Sequence, residues 1–307
     1  MKSIVLGTRG SALALAQVAL TGKALAAALP GLLVEQKVFV TRGDQKLDLS
    51  LIQASEAGGK GLFTKELEDA LLSSAIDVAV HSLKDLPGHN PPGLEVTAVL
   101  ERAATADLLI TKARQTLRDL PAGALVGTSS VRRARQVQWL RPDVRIEEWR
   151  GNVQTRLRKL SERSDVAGII LAQAGLERLG NDLREGTLET EQGKFFAASL
   201  AEDLLPAIGQ GAIALQSRAD RTEVTEVLQK IDHRETHLAI RAERELQRLL
   251  AGDCALPVGV RTRLVNGGIA MRAILFGAEG TPPHLAEAEA ETPEAVAAAV
   301  FAGLGIA

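Results

Sequence analysis

The sequence predicts an α/β fold in three domains, on three observations. Short apolar runs rich in Val and Ile alternate with longer segments of helical pattern, the mark of strand–helix–strand units. That alternation restarts after ERAATADLL, residues 101–109. Beyond DLLPAIGQGAIALQSR (203–218) it gives way to one long helical pattern and a hairpin signal. At 307 residues the chain also exceeds the size at which a single core keeps growing.

In order, KSIVLGT, VEQKVFV, IDVAVHSL and LEVTAVL read as strands. SALALAQVALTGKALAAAL and LFTKELEDALLSS read as the helices between them. In the second unit ALVGT, VRIEEW and AGIILA are strands, and VRRARQVQWL and VQTRLRKLSE are helices. HRETHLAIRAERELQRLL repeats apolar residues at spacings of three and four and is a helix. VGVRTRLVNGGIAMRAILFGAEG is a pair of strands around an Asn266-Gly267 turn. A final Ala-rich helix follows Thr292, a capping residue, and Pro293, favoured at a first helical position.

Composition narrows the function. A net charge of -2 gives no overall attraction to nucleic acid or to an anionic membrane. Aromatic residues are only 3% and Tyr is absent, which disfavours recognition by base stacking. A single cysteine makes no intramolecular disulfide. No run is long enough to span a bilayer, and Arg9, Gln17 and Lys23 interrupt the N-terminal stretch, so it does not read as a signal peptide. The expected compartment is the cytoplasm.

Any anion site must therefore be local. In VGTSSVRRARQ, Gly127-Thr128-Ser129-Ser130 follows a strand and opens a helix. Such a junction offers backbone N–H groups and the positive end of a helix dipole. Three hydroxyls and the guanidiniums of Arg132 and Arg133 suit carboxylate or phosphate. The plainer reading is a Ser cap with a solvated basic face. WRGNVQTRLRK adds Arg150, Gly151 and Arg156; GTRGSALA adds Arg9 and Ser11; IGQGA offers Gln210 at a glycine corner. Loops of this kind gather at the carboxyl ends of strands, where ligands bind. Together they point to a ligand with several negative charges.

GGKGLFTKELE lacks the phosphate-loop spacing, because Gly61 follows Lys60. In VAVHSLKDLPG, Asp85 lies just past a strand end beside Lys84, placed for acid–base or charge-stabilising work. A surface Lys-Asp pair on a turn is the competing reading. His233 and His237 are four apart on a helix with no third ligand in pattern, so no metal is expected. Cys254, in LLAGDCALPVG, has no His-Asp partner motif and by itself reads as a packing residue or an accessible turn sulfur.

Taken together, TRGSALALAQ, VTRGD, GGKGLFTKELE, AVHSLKDLP, GTSSVRR, RGNVQTRL, AGLERLG, PAIGQGA and ERELQRLLAGDCALPVG resemble, in order, the porphobilinogen deaminase (hydroxymethylbilane synthase) family. The resemblance spans nearly the whole chain. It implies two periplasmic-binding-protein-like α/β domains flanking a cleft, 1–100 with 211–230 and 101–210, and a small α+β domain, 231–307. It implies a dipyrromethane cofactor held through a thioether on Cys254. Onto this cofactor four porphobilinogens are condensed head to tail, each losing ammonia through a cationic azafulvene. Asp85 matches the family's catalytic aspartate. Ser11, Lys84, Asp85, Thr128, Ser129, Ser130, Arg132, Arg133, Arg150 and Gly151 match cofactor contacts. Arg9, Lys60, Arg150, Arg156, Arg178 and Gln210 match substrate contacts. A monomer is implied, with no nucleic-acid or membrane partner. Two departures stand out: Glu56 replaces a Lys common in relatives, and the segment from Arg184 to Phe196 is longer than usual. The alternative is a non-catalytic solute-binding protein on a related scaffold, which explains the anion loops but neither Asp85 nor Cys254.

Overall fold

The computed structural model describes residues 1–41, 64–250 and 256–306. Lys60, Glu56 and Cys254 lie outside these described residues.

The first sheet contains β1 (Ser3–Arg9), β2 (Leu33–Phe39), β3 (Val78–Ser82), β4 (Leu94–Val99) and, from far along the chain, β11 (Ile213–Arg218). Its order is β2-β1-β3-β11-β4. β1 is parallel to β2 and β3, whereas β11 runs antiparallel between β3 and β4. Ser11 caps α1 (Ala12–Ala28), accepting from the Ala14 N–H at 3.3 Å. The buried face of α1, including Val18 and Leu25, packs on Ile4, Leu6, Val78, Val80, Ile213 and Leu215. α2 (Lys65–Leu72) covers a second patch through Leu67 and Leu71 against Ile76 and Ala79.

The second sheet comprises β5 (Asp107–Thr111), β6 (Leu125–Gly127), β7 (Arg145–Glu147), β8 (Val166–Ala172), β9 (Thr187–Thr190) and β10 (Gly193–Ser199). Its order is β7-β6-β8-β5-β10-β9. β6, β7 and β8 are parallel, and their carboxyl ends lead into α3 (Val131–Leu140), α4 (Val153–Glu162) and α5 (Gln173–Arg178). The long segment noted in the sequence contains an antiparallel hairpin, β9–β10, that extends this sheet past β5. Leu188 and Phe195 anchor it in the core.

After β11, α6 (Thr222–Leu228) returns Val224 and Leu228 to the first core. α7 (Arg234–Leu249) and α8 (Pro293–Gly303) then cover an antiparallel sheet of β12 (Val258–Val265), β13 (Gly268–Leu275) and β14 (His284–Ala290). Asn266-Gly267 turns β12 into β13, with Gly267 at φ +87°. Thr292 caps α8 and Pro293 stands at its start. The fold is thus two α/β lobes plus a small α+β unit.

Candidate active site

Two chain crossings join the lobes, and the site grows from their junction. β1 and β3 are parallel neighbours, so their carboxyl ends share one edge of the first sheet. β1 ends at Arg9 and passes through Ser11 into α1. β3 ends at Ser82 and runs into a 3-10 turn, Leu83–Asp85. A small cavity of about 60 Å³ opens there, lined by Arg9, Ser11, Gln17, Thr64, His81, Ser82 and Asp85 among others. Ser82 and Gln17 hydrogen-bond across it, the Gln17 amide donating at 2.8 Å. Beneath, buried His81 meets the Gln216 side chain at 3.1 Å. Burial lowers the imidazole pKa to about 4, assisted by Arg9 and Arg244, so His81 is neutral at physiological pH.

The second lobe presents its own carboxyl edge. Thr128, Ser129 and Ser130 follow β6, and Ser130 caps α3, accepting from the Arg133 N–H. Gly127 is required because a Cβ there would lie 2.7 Å from the Trp149 ring. Gly151, at φ +115°, turns β7 into α4, whose cap is Asn152. Arg156 donates to the Gly151 carbonyl at 2.7 Å, and Arg150 pairs with Glu148.

Arg132 and Arg133 do not project into solvent. Both are buried, 5% and 6% exposed, and both grip the carboxylate of Asp107 at the start of β5. Arg132 donates to Asp107 at 2.8 Å and to the Leu205 carbonyl at 2.7 Å. Arg133 donates twice to Asp107, at 3.0 and 2.7 Å, and once to the Ile170 carbonyl. Gln210 adds a further donor to Asp107 at 2.9 Å. Burial works to raise the Asp107 carboxyl, but Arg132 and Arg133 outweigh it and hold it below the ordinary carboxylate range. Asp107 is not among the candidates drawn from sequence spacing. Its signal was an acid opening an otherwise apolar strand, ADLLIT, where a charge requires a buried partner.

The two edges meet electrically at Lys84. Burial first, then Arg133, lowers its ammonium pKa to about 8, against the pull of Asp85 and Asp107. Arg156 is likewise lowered to about 10 by burial and by Arg133 and Arg150. Lys84, Arg132, Arg133, Arg150 and Arg156 are thus close enough to shift one another's titration. The Ser129 hydroxyl and the Arg132 Nε are buried there without hydrogen-bond partners among the described residues. This donor surplus fits a ligand bearing several carboxylates.

Not every candidate lies at that point. Arg178, at the end of α5, donates to the Gly211 carbonyl at 2.6 Å. It lines a separate groove along α1 with Lys23, Arg102 and Lys230. Gln210 is buried in the crossing segment, donating to the Thr105 carbonyl as well as to Asp107. Gly209 and Gly211 flank it at φ +69° and +84°, and a Cβ on either would collide with Leu83 or the Ala103 backbone. His233 caps α7, and His237 bonds Asp232 at 2.9 Å.

Fold and site together define a two-lobed protein with a cluster of basic side chains and a carboxylate-bearing turn where the lobes meet. Comparison with known proteins narrows the class. The porphobilinogen deaminase dipyromethane cofactor binding domain matches residues 4–226, and the porphobilinogen deaminase C-terminal domain matches 237–306. Porphobilinogen deaminase of Syntrophomonas wolfei is 43% identical over 96% of this chain and 92% of its own length. That of Syntrophobacter fumaroxidans is 45% identical over 90% and 85%. Among solved structures, the periplasmic aliphatic sulphonate binding protein SsuA from Escherichia coli overlays loosely, with a TM-score of 0.43 and 13% identity over 82% of this chain and 71% of that one. The chain belongs to the porphobilinogen deaminase family, transferases of tetrapyrrole biosynthesis. The solute-binding alternative is not favoured. No described helix is long and apolar enough to cross a membrane.

Proposed function

We propose that this chain joins four porphobilinogen molecules head to tail into hydroxymethylbilane, releasing ammonia at each step, with Asp85 as the reacting carboxylate. The observation that carries this reading is the Asp85 turn set against the cluster of Lys84, Arg132, Arg133, Arg150 and Arg156. Dipyrromethane, when bound through Cys254, supplies the primer on which the chain is built. Ser11, Lys84, Thr128, Ser129, Ser130, Arg132, Arg133, Arg150 and Gly151 would hold it. Arg9, Lys60, Arg150, Arg156, Arg178 and Gln210 orient the incoming substrate.

The residues divide the labour by charge. An ionised Asp85 beside pyrrole N–H groups stabilises positive charge as the amino group departs and carries protons at its carboxylate oxygens. Guanidinium forks fix acetate and propionate arms with direction as well as energy. Asp107 presets two of those forks before any ligand arrives, limiting reorganisation. We further propose that the protein works as a cytoplasmic monomer without nucleic-acid or membrane partners, divided at 1–100 with 211–230, 101–210 and 231–307.

Incubation with porphobilinogen, with assay of linear tetrapyrrole and ammonia, tests the reading directly. Intact mass tests the anchor: the holo chain is heavier by one dipyrromethane, and Cys254→Ser loses that increment. Loaded protein that forms no tetrapyrrole would overturn the assignment.

A further inference from the structure

The Asp85 turn is held from outside its own lobe. α7 lays three residues of one face against it, at helical spacings of three and four. Ile240 clusters with Leu83, which opens the turn, with Leu86, which follows it, and with Val99, Ala212 and Ala214. Glu243 is fully buried and accepts from the Gly209 N–H at 2.8 Å, and Gly209 is the glycine on which Leu83 rests. Arg244 reaches the far side of the turn. Its Nη1 donates to the Pro87 carbonyl at 3.1 Å and its Nη2 to the Asn90 side-chain oxygen at 3.0 Å.

The company Arg244 keeps is informative. Neighbouring acids on that surface pair with other arginines: Glu245 with Arg248, and Glu294 with Arg241. Among the described residues no carboxylate pairs with Arg244, and burial lowers its pKa. A partly desolvated guanidinium held by two neutral acceptors is a costly way to stabilise an interface. It is an effective way to fix geometry, because the planar fork locks two points of one loop at once. Those two points lie just after Asp85.

We propose that Arg244 is a positioning residue for the reaction: it ties the Asp85 turn to α7, so that the helix leading into the third domain sets where the carboxylate sits. The proposal rests on the reading of Asp85 as the reacting group. Ile240 and Glu243 supply the adhesion, and Arg244 supplies the alignment. A small displacement of a catalytic group costs rate more than it costs substrate affinity.

The test uses full-length, cofactor-loaded protein, with loading fixed by intact mass. Arg244→Met should lower kcat by on the order of ten- to a hundredfold and leave KM within about twofold. Arg244→Lys should recover part of kcat, because an ammonium reaches one acceptor of the pair. Asn90→Ala should lower kcat by a smaller factor, and adding it to Arg244→Met should cost little more, since both remove the same tie. An unchanged kcat per loaded Arg244→Met molecule overturns the proposal, as does a loss that merely tracks the folded fraction. If Arg244→Met does not fold, Asn90→Ala decides: parental kcat in that variant overturns it. Asp85→Asn run in parallel separates the two ideas. An active Asp85→Asn sinks the Asp85 reading, whereas an inactive Asp85→Asn beside a parental Arg244→Met sinks this inference alone.

Discussion

Lys84 and Asp85 are adjacent in sequence but answer to different neighbours. Asp85 lines the cavity with Arg9, Ser11 and Thr64, whereas Lys84 lies within the field of Arg133, Arg132 and Asp107. Replacing Asp85 by Ala should leave the fold intact and lower turnover at least a hundredfold, measured as tetrapyrrole formed per loaded molecule. Lys84 makes a pH prediction. Its folded pKa of about 8 lies below the ordinary 10.5, so between these values the unfolded chain binds more protons. Its contribution therefore becomes less destabilising as pH rises through that window. Subtracting the stability curve of Lys84→Met from that of the parent in ligand-free protein should show this rise; a flat difference would contradict it. At this scale the sequence was informative about which residue types matter. Arg132 and Arg133 could be read as suited to carboxylate or phosphate, but not as buried. Their Asp107 partner was not legible, because a pair 25 residues apart in sequence carries no local spacing signal.

Among the elements, the caps and turns were readable because their causes are local. Ser130 and Thr292 each accept from the N–H three residues on, and so does Ser11, which the sequence offered only as a loop residue. Asn266-Gly267 needs only the two strands beside it. β11 and β5 were harder, since strands buried on both faces show no alternation to distinguish them. The β9–β10 hairpin carries no tight-turn signature of the Asn-Gly kind; Gly193, at φ +124°, opens its second strand. α3 has the most at stake in its environment, because it delivers two buried cations onto one carboxylate. Asp107→Ala should cost about 3–5 kcal/mol in urea unfolding, since it strands both arginines without their counter-ion. A loss well under 1 kcal/mol would mean that solvent reaches them.

Across the whole molecule, one ion pair gathers all three units. Arg102, in the crossing from β4 to β5, pairs through both terminal nitrogens with Glu243 of α7 at 2.7 and 3.0 Å. Its Nε reaches the Gln210 carbonyl in the return crossing at 2.9 Å. Glu243→Gln should lower stability by about 3 kcal/mol, and Arg102→Ala added to it should cost less than the sum of the two. Additive losses in thermal or urea unfolding would show that the pair does not couple the units. The three-unit plan was legible from changes in sequence texture. This clasp was not, because its two residues lie 141 positions apart and carry no local spacing signal.

The place of β11 has a bearing on how the protein is made. Among the described residues β4 joins the first sheet only through β11, which is translated after the strands of the second sheet. On the ribosome the second lobe, contiguous from β5 to β10, has all its strands before the first can complete its own. Until residue 218 emerges, β3 and β4 each present an edge awaiting the strand that belongs between them. The nascent chain therefore finishes from the middle outward, and its first-translated lobe depends longest on protection from misassembly.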